Sequence, residues 1–421
     1  MKRNIIALGL AAAVFAHGTF AAEGAIPKGI PHLDHVYLIM MENHGYSQIL
    51  NNPNAPFINQ YAKSANLATN YFAIAHPSLT NYLEVVGGSN FGVLSDNYPD
   101  WHNSSCVTNL LSGVPATDNP ATASICPIAG SGTDAAIPAI DYTNETQGPP
   151  GTINIDGTQA IPAAQNISGK TIADQLVTAG RSWKSYQESL PLAGADKVNI
   201  SDGFYTNNTD FSQIQPTLNP PLAPSDIVAL YAVKHNPFAY FRAVQEGENP
   251  RSSLKNSVDF EGAHGLFADL RSGDVPAFAF IAPNQCNDQH GRGNAGAFCN
   301  YDPSDDGSQA GLNPALIYRG DVTVQKLVSA IKASPAWKYG RNAIIVMWDE
   351  NDYSTAPNTN QVMLIVDTNY GVHGEQSNKR YTHFSVLKTL EAGFDLPCLN
   401  HACDKNVDAM SDLFADDQDR H

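Results

Sequence analysis

Short unbroken apolar runs alternate along the chain with segments whose apolar positions recur every three to four residues. Val36-Tyr37-Leu38-Ile39-Met40-Met41 carries no charge and stops at Glu42-Asn43. Phe278-Ala279-Phe280-Ile281 runs into Pro283-Asn284, Ala343 to Trp348 ends at Asp349-Glu350, and Val362 to Val366 makes a fourth run. Runs of this length that skip the polar alternation fit strands covered on both faces, the situation of a parallel sheet. Between them, Val324, Leu327, Val328 and Ile331 keep the i, i+3, i+4, i+7 spacing of an amphipathic helix, and Thr382 to Leu390 reads as another. The alternation predicts an α/β domain with a mostly parallel central sheet flanked by helices.

Two stretches lack either period. Residues 104–165 are rich in Ala, Thr, Gly, Pro and Asn, and residues 284–313 in Asn, Gly and Asp. Irregular segments of this length are expected to be loop insertions or lids. With no internal repeat and no boundary in sight, residues 23–421 read as a single domain carrying an irregular insertion at about 104–165.

The first residues read differently. Lys2 and Arg3 precede an apolar run from Ile5 to Ala16, followed by Thr19-Phe20-Ala21-Ala22. This is the layout of a secretory signal peptide over residues 1–22, and the run is too short for a span of ~20 apolar residues. No later segment is long and apolar enough to span a bilayer, so a secreted or periplasmic location is expected. Cysteines at 106, 126, 286, 299, 398 and 403 fall into three sequence-local pairs, as disulfides in an oxidising compartment would.

Composition removes one class of partner. Of 421 residues, 43% are hydrophobic, and 41 acidic side chains against 24 basic ones leave a formal charge of −17. Nucleic acid is held by clustered Lys and Arg, so a nucleic-acid binder is not expected.

The chemistry gathers at the strand ends. In open parallel sheets ligands bind beyond the carboxyl ends of the strands. Glu42-Asn43, the segment from Pro283-Asn284 to Asp288 and His290, and Asp349-Glu350 would share one rim, with oxygen donors that suit a hard divalent cation. His76-Pro77-Ser78-Leu79-Thr80-Asn81-Tyr82-Leu83 puts a serine where a helix begins, a place that favours an anion and a developing negative charge.

These residues belong to a longer series. Met41-Glu42-Asn43-His44, the segment His76 to Leu83, Thr171 to Leu176 with Ser182-Trp183-Lys184-Ser185-Tyr186, and Lys234-His235-Asn236-Pro237 occur in that order. Asp288-Gln289-His290, Trp348-Asp349-Glu350 and Tyr381-Thr382-His383-Phe384-Ser385-Val386-Leu387 follow. The series resembles the acid phosphatase and phospholipase C phosphoesterase family, distantly related to alkaline phosphatase, over about residues 33–397.

The resemblance implies an alkaline-phosphatase-like sheet with long loop insertions and a phosphoserine intermediate. It puts the nucleophile at Ser78, and the metal at Glu42, Asn43, Ser78, Asp349 and Glu350. His290 and His383 fall at positions near the phosphate, and Asn81, His235, Lys184 and Asp288 are the substrate-binding candidates. The expected cofactor is a divalent metal ion, with Asp288, His290 and His383 available for a second site or for the phosphate itself. The expected substrate is a small phosphate ester, a phosphomonoester first and a phospholipid head group as the alternative within the family. A binding protein on a degenerate fold is the alternative outside it, although each of these positions holds a chemically competent residue. A Ser-His-Asp esterase is disfavoured, because no Gly-x-Ser-x-Gly elbow occurs. The sequence departs from the family at Thr80, where relatives often have Pro, and at Gly291, where an Asp is frequent.

Overall fold

The protein was analysed as a computed structural model that describes residues 23–94, 96, 140–141, 167–190, 231–247, 249–291, 314–352 and 359–416. In chain order its strands are β1 (His35–Met41), β2 (Asn66–Ala68), β3 (Tyr71–Phe72), β4 (Ala75–His76), β5 (Ile140–Asp141), β6 (Trp183–Gln187), β7 (Ser257–Val258), β8 (Phe278–Ala282), β9 (Asn342–Trp348), β10 (Leu364–Thr368), β11 (Gln376–Ser377) and β12 (Tyr381–Thr382). Eight of them form one sheet in the order β11-β2-β10-β9-β1-β8-β6-β7. All of these run the same way except β10, which is antiparallel to both β9 and β2. The protein is therefore α/β with a mostly parallel sheet.

β1, β8 and β9 lie side by side at the centre, and β8 and β9 are buried at every position. That burial is why their sequences are continuously apolar rather than alternating. Register then decides where the polar ends emerge. Met41 pairs with Trp348 and Ile39 with Ile281, so the three strands finish at one edge. Two backbone bonds tie the exits together: Glu42 N–H donates to the Asp288 carbonyl at 2.9 Å and Asp349 N–H to the Met41 carbonyl at 2.9 Å.

The helix Ser78–Gly87 is buried along its whole length and packs against the helix His383–Gly393. It ends at Gly88 with φ +69°, where a Cβ would stand 2.5 Å from the Leu399 carbonyl oxygen. Only glycine combines that left-handed turn with so close an approach. The amphipathic segment around Val324 forms the long helix Pro314–Ala333, which buries Val324, Leu327, Val328 and Ile331.

Two expectations change in detail. The fourth apolar run becomes β10 at Leu364–Thr368 rather than 362–366, because Val362 N–H is taken by the Tyr71 carbonyl at 3.0 Å outside the sheet. The last helix starts at His383 and runs to Gly393, with Thr382 as its N-cap. Cys398 and Cys403 form the expected disulfide, and Cys286 is also disulfide-bonded. Cys106, Cys126, Cys299, the segment 1–22 read as a signal peptide, and the insertion at 104–165 apart from β5 lie outside the described residues. No helix among the described residues is long and apolar enough to cross a membrane.

Candidate active site

The rim formed by the ends of β1, β8 and β9 carries Glu42, Asp288, Asp349 and Glu350, all of them buried. Carboxylates out of water and close together resist ionisation. Burial, then Asp349, pushes the Glu42 carboxyl well above its ordinary range, and burial, then Glu42, does the same to Asp288. Glu350 is raised by burial and by Asp349, and Asp349 itself is pushed up to about 7 by burial. The Asn43 amide donates to Asp349 Oδ1 at 3.0 Å, from a residue held at φ 50°, and partly offsets that rise.

Ser78 sits in this cluster, fully buried at the first residue of its helix. Its hydroxyl faces two acceptors, Glu42 Oε2 at 3.0 Å and Glu350 Oε1 at 3.4 Å. The other oxygen of Glu350 is fixed from behind by His76 Nδ1 at 2.9 Å and Asn81 Nδ2 at 3.0 Å. Burial pushes the His76 imidazole down to about 3, so it lies against Glu350 uncharged. The amide of Leu79 does not stay open for an anion: it donates to Asp96 Oδ1 at 3.0 Å. The helix N-terminus that the sequence offered to a phosphate is capped by the protein's own carboxylate.

Nitrogen groups close the other side. His235 lies between two acids, with Nε2 3.0 Å from Glu42 Oε1 and Nδ1 3.2 Å from Asp288 Oδ2, and its ring stacks on Tyr82 at 5.2 Å between centroids. Lys234, 1% exposed, pairs with Asp96 Oδ2 at 2.8 Å and stands 3.1 Å from His290 Nε2. Its charge partly offsets the rise that burial gives the carboxyls of Glu42, Asp288, Asp349 and Glu350.

The structure thus brings together Glu42, Asn43, Ser78, His235, Asp288, His290, Asp349 and Glu350. Three other expected residues are committed to partners within the protein. Asn81 has no amide hydrogen left for a phosphate, since Nδ2 donates to the Ala75 carbonyl at 2.9 Å and to Glu350, while Oδ1 accepts from the Ala75 amide. His383 spends both ring nitrogens on the protein: Nε2 donates to the Asp349 carbonyl at 2.7 Å and Nδ1 accepts from the Tyr71 hydroxyl. Lys184 projects from β6 to Asp269 and the His264 carbonyl, on the opposite face of the strand from Ser185, whose hydroxyl meets Asn236. Asp269 also accepts from Tyr186, so the Trp-Lys-Ser-Tyr motif is a packing cluster. Sequence reasoning missed Lys234, His76 and Asp96. Lys234 had a signal, a charged residue following the apolar Tyr231-Ala232-Val233 and preceding His235, whereas nothing local marks Asp96.

The donor set fits a divalent cation. Glu42 Oε1, Asp288 Oδ2 and Asp349 Oδ2 are buried without a hydrogen bond among the described residues. Ligating atoms of Glu42, His235 and His290 also lie within 4.8 Å of one another. Buried carboxylate oxygens lacking donors are the ligands hard cations take, and an imidazole widens the choice to softer ones.

Residues 48–298 match the Phosphoesterase family. The match includes Ser78, Lys234, His235 and His290, and the carboxylates contributed by β1 and β9 lie outside it. A Mycobacterium tuberculosis phosphatidylinositol-3-phosphatase is 23% identical over 95% of this chain and 89% of its own length. An Aspergillus fumigatus acid phosphatase is 23% identical over 88% of this chain, which spans only 57% of that protein. Among solved structures, an alkaline phosphatase superfamily protein from Vibrio parahaemolyticus has a TM-score of 0.40 at 12% identity, covering 95% of this chain and 72% of that one.

Proposed function

This chain belongs to the Phosphoesterase family of hydrolases, and from that membership we propose that it is an exported, metal-dependent acid phosphatase that cleaves phosphomonoesters through a phosphoserine on Ser78. The observation that carries the reading is the Ser78 hydroxyl, held between Glu42 and Glu350 in a buried acidic cluster. A serine is a weak nucleophile until a neighbouring base takes its proton. Glu42 Oε2 is the nearer acceptor, while Glu350 is pinned by His76 and Asn81 so that only Oε1 faces the hydroxyl. Oγ attacks phosphorus, the bond from phosphorus to the ester oxygen breaks, and the alcohol leaves with a proton. Water then cleaves the Oγ–P bond and frees phosphate.

Glu42, Asn43, Asp349 and the Ser78 oxygen are the groups that would hold the cation, and when bound it would neutralise the phosphate charge and favour the serine alkoxide. His290 and His235 line the same rim, His290 with Nε2 turned to Lys234 and His235 with its nitrogens turned to Glu42 and Asp288, whereas His76 and His383, pushed down to about 3 and about 4 by burial, stay neutral and hold other groups. The Cys398–Cys403 disulfide supports an oxidising compartment. The names of the mycobacterial and fungal relatives support a phosphomonoester over a phospholipase C substrate.

The test is hydrolysis of an aryl phosphate by the full chain and by Ser78→Ala, each with and without a chelator, beside phosphatidylcholine vesicles. Wild type should prefer the aryl phosphate and lose activity on chelation. Ser78→Ala should fall on the order of 10³-fold or more while staying folded. Activity retained in Ser78→Ala would remove the nucleophile assignment, faster lipid cleavage would reverse the substrate order, and indifference to chelation would end the metal reading.

A further inference from the structure

We propose that the Lys234 ammonium takes the place of a second divalent cation, so that the centre combines one divalent ion with one side-chain ammonium. The proposal rests on the metal requirement inferred above and goes beyond it.

Glu42, His235 and His290 offer ligating atoms within 4.8 Å of one another, the spacing of a cation seat that would share Glu42 with the one proposed above at Glu42, Asp349 and Ser78. The hydrogen bonds of His290 show why that seat is filled already. Its Nδ1 lies 2.7 Å from the Gly291 carbonyl, so that nitrogen carries the hydrogen and the lone pair is on Nε2. Lys234 Nζ, an ammonium with no lone pair of its own, donates to this Nε2 across 3.1 Å. One nitrogen lone pair cannot accept from the ammonium and bind a metal together.

The ammonium is also fixed in place. Asp96 holds it at 2.8 Å through Oδ2, while Asp96 Oδ1 accepts from the Leu79 amide at 3.0 Å, the residue after the nucleophile. Both side chains of the pair are almost fully buried, at 2% and 1% exposure. Burying a lysine is costly, and pairing with Asp96 alone could be met at the surface without that cost. What the burial gains is a cationic group among Glu42, Asp288, Asp349 and Glu350 that is covalently part of the chain. His235 fills the remaining side, its two nitrogens each facing a carboxylate.

The experiment counts manganese(II) bound to the full chain by titration and electron paramagnetic resonance. Wild type should bind one equivalent. Lys234→Met should bind two, with a spin-coupled pair because both seats use the Glu42 carboxylate. As Lys234→Met strands Asp96, Lys234→Met/Asp96→Asn removes both charges and keeps the count readable in a folded protein. Two equivalents in wild type, or one or none in a folded variant, would overturn the proposal. Wild type binding none would instead overturn the metal requirement beneath it, with the proposal following.

Discussion

His383 governs Asp349 without touching its carboxylate. Its Nε2–H holds the Asp349 backbone carbonyl at 2.7 Å, and the Tyr71 hydroxyl donates to Nδ1, which fixes the tautomer. Burial pushes this imidazole down to about 4, and both of its nitrogens are taken by the protein. Partners placed behind a ligand generally cost ~10–100-fold in activity or metal affinity when removed. Tyr71→Phe should therefore lower kcat and manganese affinity on the order of 10-fold and leave KM for the aryl phosphate nearly unchanged. Steady-state kinetics with a metal titration would check this, and an unchanged kcat and affinity would reduce Tyr71 to packing. The motif Tyr381-Thr382-His383 marked the histidine in the sequence, but Tyr71 lies 312 positions away, and nothing local to either announces their contact.

Helix ends show the same dependence on distant chain. The helix Pro56–Ser64 has Ala55 at its N-cap, which offers no side-chain acceptor. Asp321, on the long helix Pro314–Ala333, supplies both oxygens instead, accepting from Phe57 N–H at 3.1 Å and Ile58 N–H at 2.7 Å. A capping carboxylate at a helix N-terminus is worth ~1–2 kcal/mol. Asp321→Ala should cost about that much in urea unfolding without lowering kcat per folded molecule, and an unaffected midpoint would show that these amides find water instead. Asp96 performs the same service for the helix Ser78–Gly87. The helix after Ser78 was legible from its apolar positions, whereas the helix Pro56–Ser64 was not read from the sequence. Neither cap was legible, because capping by a residue far along the chain leaves no fixed spacing. β10 was legible as an apolar run too, but its reversed direction depends on which strand it meets.

At the scale of the molecule, buried acids tie stability to pH. Burial pushes Asp259, just beyond the edge strand β7, up to about 8 from an ordinary value of 3.8. Between those values the unfolded chain gives up a proton that the folded protein keeps. Stability from this residue is thus fully present below about pH 4 and is lost as pH rises towards 8, by at most roughly 5 kcal/mol. Asp259→Asn keeps an acceptor for the Glu261 amide and should flatten this fall. Urea unfolding of both proteins at pH 5 and pH 8 would test it, and equal pH dependence in the two would remove Asp259 as a source. An enzyme whose stability is better kept in acid is consistent with the work proposed for it.

The sequence by itself determined the layers and the rim. Continuous apolar runs demand burial on both faces, which makes strands 35–41, 278–282 and 342–348 central, and polar residues at their ends can only emerge where the sheet stops. The family motifs added Ser78 as a candidate nucleophile. Tertiary structure alone decided the division of labour among the remaining motif residues. Lys184, Asn81 and His383 have the chemistry of substrate ligands, yet Asp269, Glu350 and the Asp349 carbonyl claim them first. A side chain with a few donors can serve only the partners that folding brings within ~3 Å, and that distance is set by packing between segments far apart in the chain. The same rule placed Lys234 beside His290 and turned a basic residue next to a histidine into part of the site.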